Sequence, residues 1–358
     1  MQKIIFINLL FGIFLIIGSC IDPFTIELEE GQVFLVVDGE FTPEKRPHLL
    51  ELYYTNSQVS RRRTPTEGAT IELVSGEGER ELYTEIDKGI YQLKGEKIEG
   101  EENGEYFVKI KLVNGAEYQS VPAKMPRQIK GDSAYIRFNF LEETLITGAI
   151  TKTSFLEVFV DSPLPQNDSD YWLKWEVSTL YSFPEIMCGP LGPPPDICFI
   201  PGKNDPQQLM LLNGERFGNG RVERLKVNEK RLVSNNFEYR GRHYFLVNQQ
   251  SINKETYDYW EKVNRVANQT GSIFDAPPAG IPGNIYNVND PEEMVLGYFE
   301  LTHTDSLRAY ITAGELSNDF KFPTLVCPTS SSSFFEFFRE CCDCTRIENS
   351  TLNRPAWF

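Results

Sequence analysis

Alternating apolar and polar positions dominate the chain between residues 32 and 126. In "EYFVKIKLVNG", apolar residues at positions 106, 108, 110 and 112 share one face, and Lys109 and Lys111 share the other. Asn114-Gly115 then predicts a hairpin turn, because both residues tolerate a positive φ. Short strands separated by turn signals every 8 to 12 residues or so predict an immunoglobulin-like β-sandwich over residues 32–126.

A second β-rich pattern follows the segment "PAKMPRQIKGD". "YWLKWEV" alternates Leu173 and Trp175 against Lys174, and "HYFLVNQQ" reads as a further strand. "SINKETYDYWEKVNRVANQ" has apolar residues at helical spacing, which predicts a helix with Ser251 as its N-cap. The pattern predicts a mainly β fold, in which a larger β-rich domain over residues 127–358 carries one or two short helices.

The first apolar run, Ile4 to Ile17, is shorter than the roughly 20 residues that a membrane span needs. Its length suits a secretory signal, and it ends in Gly18-Ser19-Cys20. Small residues before a cysteine are typical of a lipobox, so we expect a signal peptide over residues 1–19 and a lipid on Cys20. Residues 20–31 then form an acidic tether. A plain signal peptide that happens to contain a cysteine is the alternative.

Export to an oxidising compartment favours disulfides for the other cysteines. The six candidates are Cys188, Cys198, Cys327, Cys341, Cys342 and Cys344. A bridge between Cys188 and Cys198 would staple a proline-rich loop, whereas the pairing of the last four stays open. Zinc is the rival interpretation, but the cluster has neither a second C-x-x-C pair nor a nearby histidine. We therefore predict no metal site and no cofactor.

The charge balance, 35 basic against 51 acidic residues, gives a net charge of -16 and argues against nucleic-acid binding. The three histidines, His48, His243 and His303, lie in no metalloprotease motif, and the chain has no G-x-S-x-G elbow. A carboxylate pair for glycoside hydrolysis stays open, because Asp and Glu are abundant. We predict a protein without catalytic residues.

Two proline-rich loops, Gly189 to Ile197 and Ala276 to Gly283, are candidate partner surfaces, because stiff loops lose little entropy on binding. The alternative is that both are rigid connections. Near the C-terminus, "SSSFFEFFRECC" contains four phenylalanines within five residues. These form either a buried short helix or an apolar surface for a partner.

Three segments resemble one family. "SIFDAPPAGIPGNIYNVNDPEEMVLGYFE" (Ser272 to Glu300), "CDCT" (Cys342 to Thr345) and the final "RPAWF" are similar to motifs of the domain-of-unknown-function 4249 family, and the strands of the N-terminal region match its first domain in order. Where that family usually has a glycine pair after "CDCT", this chain has "RIENS". The usual final Phe-Trp is here Trp357-Phe358.

The resemblance implies a location and a partner more than a chemistry. Members are Bacteroidetes outer-membrane lipoproteins, typically encoded beside a TonB-dependent outer-membrane transporter. We therefore expect a lipid-anchored protein facing the cell exterior that helps the transporter without catalysis, in nutrient capture or in assembly of surface proteins. The ligand is left open. A structural or adhesive surface protein and a secreted hydrolase are the alternatives.

Overall fold

The computed structural model describes most of the chain after residue 32, and the mainly β fold is confirmed. Within these residues no helix is both long and apolar enough to cross a membrane. The described residues are 33–56, 63–144, 146–166, 168–187, 194–202, 208–217, 220–232, 237–239, 241–268, 280–312, 315 and 339–357.

The first sandwich consists of two six-stranded sheets that pack face to face. One sheet has the order β19-β1-β2-β7-β6, with β3 paired to β2. Its strands are β1 Leu35–Phe41, β2 His48–Tyr54, β3 Thr64–Pro65, β6 Thr84–Asp87, β7 Ile90–Leu93 and β19 Val295–Leu301. The other has the order β18-β9-β8-β4-β5, with β10 paired to β8. Its strands are β4 Thr70–Ser75, β5 Arg80–Leu82, β8 Glu105–Lys111, β9 Glu117–Ser120, β10 Ala123–Lys124 and β18 Ile285–Asn287.

Alternation accounts for the core of the first sandwich. Val108 and Ile110 of β8 meet Leu50 and Leu52 of β2 in one buried cluster, each no more than 1% exposed. The predicted face of β8 is therefore the core face. In the predicted turn only Gly115 takes a positive φ, at 90°, and Asn114 instead accepts a hydrogen bond from Ala116 N through its side chain. The immunoglobulin-like topology of this sandwich stays a prediction.

Residues 285–301, which the sequence assigns to the second domain, add one strand to each sheet of the first sandwich. β19 pairs in parallel with β1, and β18 pairs antiparallel with β9. Gly297 allows the first pairing, because its φ is +83° and a Cβ there would lie 2.0 Å from Val37 O. A division of the chain at residue 126 therefore separates strands that are hydrogen-bonded to each other. The alternation of apolar and polar residues does not predict that the chain returns to the first sandwich.

The second sandwich packs a three-stranded sheet against a five-stranded sheet. The first has the order β11-β12-β16, and the second has the order β14-β13-β17-β20 with β15 paired to β13. The strands are β11 Ser133–Thr144, β12 Ile150–Pro163, β13 Trp172–Pro184, β14 Ile197–Pro201, β15 Met210–Asn213, β16 Arg221–Arg231, β17 Arg242–Ile252 and β20 His303–Thr312.

The core of the second sandwich includes Val158, Leu173, Trp175 and Phe245, all fully buried. The opposite face of β13 is buried as well at its start, where Trp172 is 7% and Lys174 2% exposed. Simple alternation predicts a solvent-facing lysine at this position. The lysine is buried because a helix and strand β19 cover that face of β13.

Two α-helices lie in the described part of the chain: α1 Gly214–Phe217 and α2 Lys254–Ala267. The predicted helix is α2, but its N-cap is Asn253, whose side chain accepts a hydrogen bond from Thr256 N. Ser251 is not the cap, because strand β17 extends to Ile252. The Ser251 hydroxyl instead accepts a hydrogen bond from Ile129 N in the connection between the sandwiches. Three short 3₁₀ helices span Phe237–Tyr239, Arg339–Cys341 and Cys344–Arg346.

A disulfide between Cys198 and Cys344 fastens the C-terminal segment to β14. The predicted Cys188–Cys198 bridge is therefore wrong, because Cys198 is already bonded to a partner 146 residues away in sequence. Cys341 and Cys342 each take part in a disulfide as well. Thr351 forms an antiparallel bridge with Phe199, and Trp357 packs edge-on against Tyr244 at 5.3 Å between ring centroids.

Candidate binding groove between the two sandwiches

Two adjoining cavities, of about 680 and 470 Å³, lie along the junction of the sandwiches. Both are lined by Lys124 and Asn253, so they form one groove, which we call the interdomain groove. One wall is the chain from Val121 to Arg127, which contains β10. The other wall contains Asn253 and the first two turns of α2.

The β10 wall presents an open strand edge. Within the described residues β10 pairs only with β8. Met125 N donates to Gly104 O at 2.8 Å and Met125 O accepts from Asn103 N at 2.9 Å, so both backbone groups of Met125 face β8. Neighbouring residues of a strand direct their backbone groups to opposite edges. The N–H and C=O of Lys124 therefore face away from β8, on the side of the groove.

The helical wall is one face of α2. Glu255, Asp258, Tyr259 and Lys262 line the larger cavity, and their separations of three, four and seven residues place them on the same side of a helix. The N-cap Asn253 fixes where this face begins. The sequence pattern identified the helix but gave no sign that this face would border a groove.

Aromatic rings form part of the larger cavity. Tyr259 of α2 and Tyr298 of β19 lie 4.5 Å apart between ring centroids. Burial raises the pKa of both hydroxyls to about 12, so both are neutral at physiological pH. Two neutral tyrosines offer a ligand flat apolar surface together with hydrogen-bonding groups.

A buried indole lies in the wall of the smaller cavity. Trp172 lines this cavity and is only 7% exposed, and its Nε1 atom is fully buried without an acceptor among the described residues. Across the same cavity Arg127 pairs with Asp168 at 2.7 Å.

The groove is acidic. Six carboxylates but only three cationic side chains line its two cavities. The carboxylates belong to Glu102, Glu105, Asp168, Asp170, Glu255 and Asp258, and the cations belong to Lys124, Arg127 and Lys262. The excess of negative charge favours cationic ligands over anionic ones.

A buried ion pair holds the two walls in place. Lys174 of β13 and Glu300 of β19 meet at 2.7 Å, with their side chains 2% and 10% exposed. Trp260 of α2 donates from Nε1 to Glu300 at 2.8 Å, and the Lys174 ammonium lies 4.6 Å from the Trp260 ring centroid. Burial alone would lower the pKa of Lys174, but the carboxylates of Glu300 and Glu176 raise it, so the lysine stays charged. The second sandwich, α2 and the first sandwich thus meet at one point.

The segment that connects the two sandwiches is hydrogen-bonded to the second sandwich. Ile129 O accepts from Gln249 Nε2 at 2.8 Å, and Gly131 N donates to Asp305 at 2.8 Å. Gln249 is fully buried and also accepts from Trp175 Nε1 and the Ser162 hydroxyl. The chain that forms the first wall therefore leads directly into an anchored segment.

The histidines lie apart from the groove. Burial lowers the pKa of His48 to about 4 and that of His243 to about 3, so both rings are neutral in the folded protein. His243 stacks on Tyr239 with 4.9 Å between ring centroids. His303 is 3.0 Å from a Glu44 oxygen, at the start of β20. The three rings therefore belong to three different environments.

Several predicted site residues lie outside the described residues: Cys20, Cys188, Cys327 and the cluster of phenylalanines. The described end of the second proline loop does reach the groove, since Pro282 and Gly283 line the larger cavity. Of the first loop, Asp196 N donates to Glu185 at 2.9 Å beside β14. No group of three or more histidine, cysteine or carboxylate residues suited to a metal ion occurs in the described part of the chain.

Sequence reasoning missed the groove itself. Its walls come from residues 102–127, 168–172, 251–262 and 282–298, which are distant in sequence. One local signal existed, because the segment "VPAKMP" between the sandwiches contains short strand β10 flanked by two prolines. Proline has no backbone N–H and is found at sheet edges, so this pattern is typical of an edge strand.

Residues 21–308 match the family described as "Domain of unknown function (DUF4249)". The match includes both walls of the interdomain groove, the ion pair at the junction, and the returning strands β18 and β19. No curated protein matches the chain. Since the matched range is most of its length, the chain belongs to the DUF4249 family, as its motifs predicted.

Proposed function

We propose that the protein is a surface-exposed outer-membrane lipoprotein of the Bacteroidetes type, anchored by a lipid on Cys20. It is a non-catalytic binding partner of a TonB-dependent transporter and serves nutrient capture. The interdomain groove is its binding site. The lipobox pattern and the family resemblance support the location and the partner.

The observation that carries the binding role is the groove. Ligand sites are usually concave and largely preformed, and this groove combines the Tyr259 and Tyr298 rings with charged side chains on both walls. Its walls belong to two sandwiches that a buried ion pair holds together, so the site exists before any ligand arrives. A preformed site loses little entropy on binding, which favours capture.

The arrangement of the titratable groups gives no support to a hydrolase. His48 and His243 are buried and neutral, and His303 is paired with Glu44 outside the groove. The groove carboxylates Asp168 and Asp258 are engaged with Arg127 and Lys254, respectively. These contacts fit a role in positioning and recognition.

The test is a mild-detergent pull-down of the native lipoprotein from outer membranes, with the Cys20→Ala variant as control. A TonB-dependent barrel recovered with the lipidated form and not with Cys20→Ala is the expected result. If the folded lipoprotein is recovered without a barrel, the transporter role is refuted and the adhesive alternative takes its place. A Lys124→Pro variant in the same experiment asks whether the groove holds the barrel.

A further inference from the structure

We propose that the interdomain groove takes an extended, basic polypeptide segment, which adds to the open edge of β10 as an extra strand. This inference rests on the proposed function, because it takes the groove to be the binding site, and it names the class of ligand. The ligand is a free peptide, in keeping with the proposed nutrient capture, and a bound segment of a partner protein is the other outcome, which the pull-down with Lys124→Pro would reveal.

The first support is the backbone of the wall. β18 covers the neighbouring strand β9 as far as Val121, whose N–H donates to Asn284 O at 2.8 Å. Beyond that point no other described strand pairs with this edge, and the N–H and C=O of Lys124 face the groove. An open strand edge beside a helix is a common site for strand addition, in which main-chain hydrogen bonds give affinity and side-chain pockets give specificity.

The second support is the size of the groove. The wall from Val121 to Arg127 contains seven residues, which at about 3.3 Å each span roughly 23 Å when extended. An extended segment of about six to eight residues matches this length. Alternate side chains of such a segment would face the Tyr259 and Tyr298 rings, and the others would face the carboxylates at the rim.

The third support is charge. The groove has twice as many carboxylates as cations, so it is complementary to lysine and arginine side chains.

The test uses two end-blocked octapeptides, one alternating valine with lysine and the other alternating valine with glutamate. Each is titrated calorimetrically into the soluble Cys20→Ala protein at low and at physiological salt. We expect the basic peptide to bind at least tenfold more tightly than the acidic one, and its affinity to fall as salt rises. Amide exchange of residues 121–127 should slow when it binds.

Two variants separate the backbone contribution from the charge contribution. Lys124→Pro removes the N–H on the open edge without removing a hydrogen bond to β8, and we expect at least a tenfold loss of affinity. Lys124→Ala keeps that N–H and is the matched control, which should bind at least as well as the parent. The double variant Glu255→Lys/Asp258→Lys should abolish the preference for the basic peptide, and it decides the question if Lys124→Pro fails to fold.

Equal affinity for the two peptides, or no binding of either, would overturn the proposal, and so would unchanged affinity in all of these variants. The titration needs no transporter, so its failure is distinct from failure of the pull-down. A barrel that still co-purifies with Lys124→Pro would place the transporter contact elsewhere, while the titration alone decides the ligand class.

Discussion

The two sandwiches are closed in different ways. The first is completed by strands β18 and β19, which come from residues 285–301 and cover one edge of each sheet. The second is fastened by a disulfide across 146 residues, and by a C-terminal segment that reaches β14 and β17. The strands that complete the first sandwich therefore come from chain that has already passed through the second sandwich. The second sandwich is instead closed by a covalent bond.

This difference explains why the groove lies where it does. The chain passes from the first sandwich to the second, returns for β18 and β19, and enters the second again at β20. Each passage crosses the same junction. The walls of the interdomain groove are therefore built by segments at which the chain passes from one sandwich to the other. The Lys174–Glu300 ion pair holds the sandwiches together at this junction.

The largest expected effect comes from breaking the Lys174–Glu300 ion pair. Lys174→Met leaves Glu300 buried without its counter-charge, which costs about 3–5 kcal/mol of unfolding free energy. Urea unfolding should show the loss, together with a separation of the two sandwiches into two transitions. The double variant Lys174→Met/Glu300→Gln should recover much of the loss, because the introduced amide is uncharged and its carbonyl oxygen still accepts from Trp260 Nε1. A single variant that unfolds like the parent protein would refute the role of this pair.

The disulfide tests the second kind of closure. Cys198→Ser/Cys344→Ser removes a long loop constraint and should cost about 2–5 kcal/mol. Thermal unfolding under non-oxidising and non-reducing conditions measures the loss. Amide exchange should rise most in β14 and in residues 339–357, beyond the smaller loss of protection that the lower global free energy gives both sandwiches. No extra loss in β14 and residues 339–357 would contradict the distinction drawn between the two kinds of closure.

Acid should destabilise the protein through two buried histidines, one in each sandwich. The pKa of buried His243 falls to about 3 and that of His48 to about 4, from an ordinary 6.5. Folded pKa values below the unfolded value mean that the stabilisation is present above about pH 6.5 and is lost as pH falls towards 3 or 4. Between pH 6.5 and 5 each ring contributes a loss of roughly 2 kcal/mol, and below about pH 4 only His243 continues to contribute. His243→Phe should flatten the pH dependence of the unfolding free energy, and an unchanged slope would contradict this assignment.

The smallest effect is expected at the end of the β11–β12 hairpin. Ile146 is fully exposed, and Ile150 is 72% exposed. Ile146→Ser should change the unfolding free energy by less than about 0.5 kcal/mol, because the side chain is fully exposed. Urea unfolding checks this, and a loss above about 1 kcal/mol would mean that the hairpin end contributes to the fold.

Sequence patterns predicted the local elements well. Alternation identified strand β8 and its core face, and helical spacing identified α2, because each signal depends on residues close in the chain. The patterns did not predict the pairing of β19 with β1 or the bond of Cys198 to Cys344, since both join residues far apart in sequence. Lys174 illustrates the same limit. Lys174 is buried because α2 and β19 cover it. The alternation of residues along the strand does not predict this burial.

The walls of the groove belong to both sandwiches, so the groove is preformed only if the two sandwiches behave as one unit. All four tryptophans lie after residue 126, at positions 172, 175, 260 and 357, so their fluorescence reports on the second sandwich and its attached segments. Amide exchange of β4 and β8 reports on the first. Urea unfolding followed by both signals should give one shared midpoint. Two separated midpoints in the parent protein would contradict the account, since a groove between independently unfolding sandwiches would not be preformed.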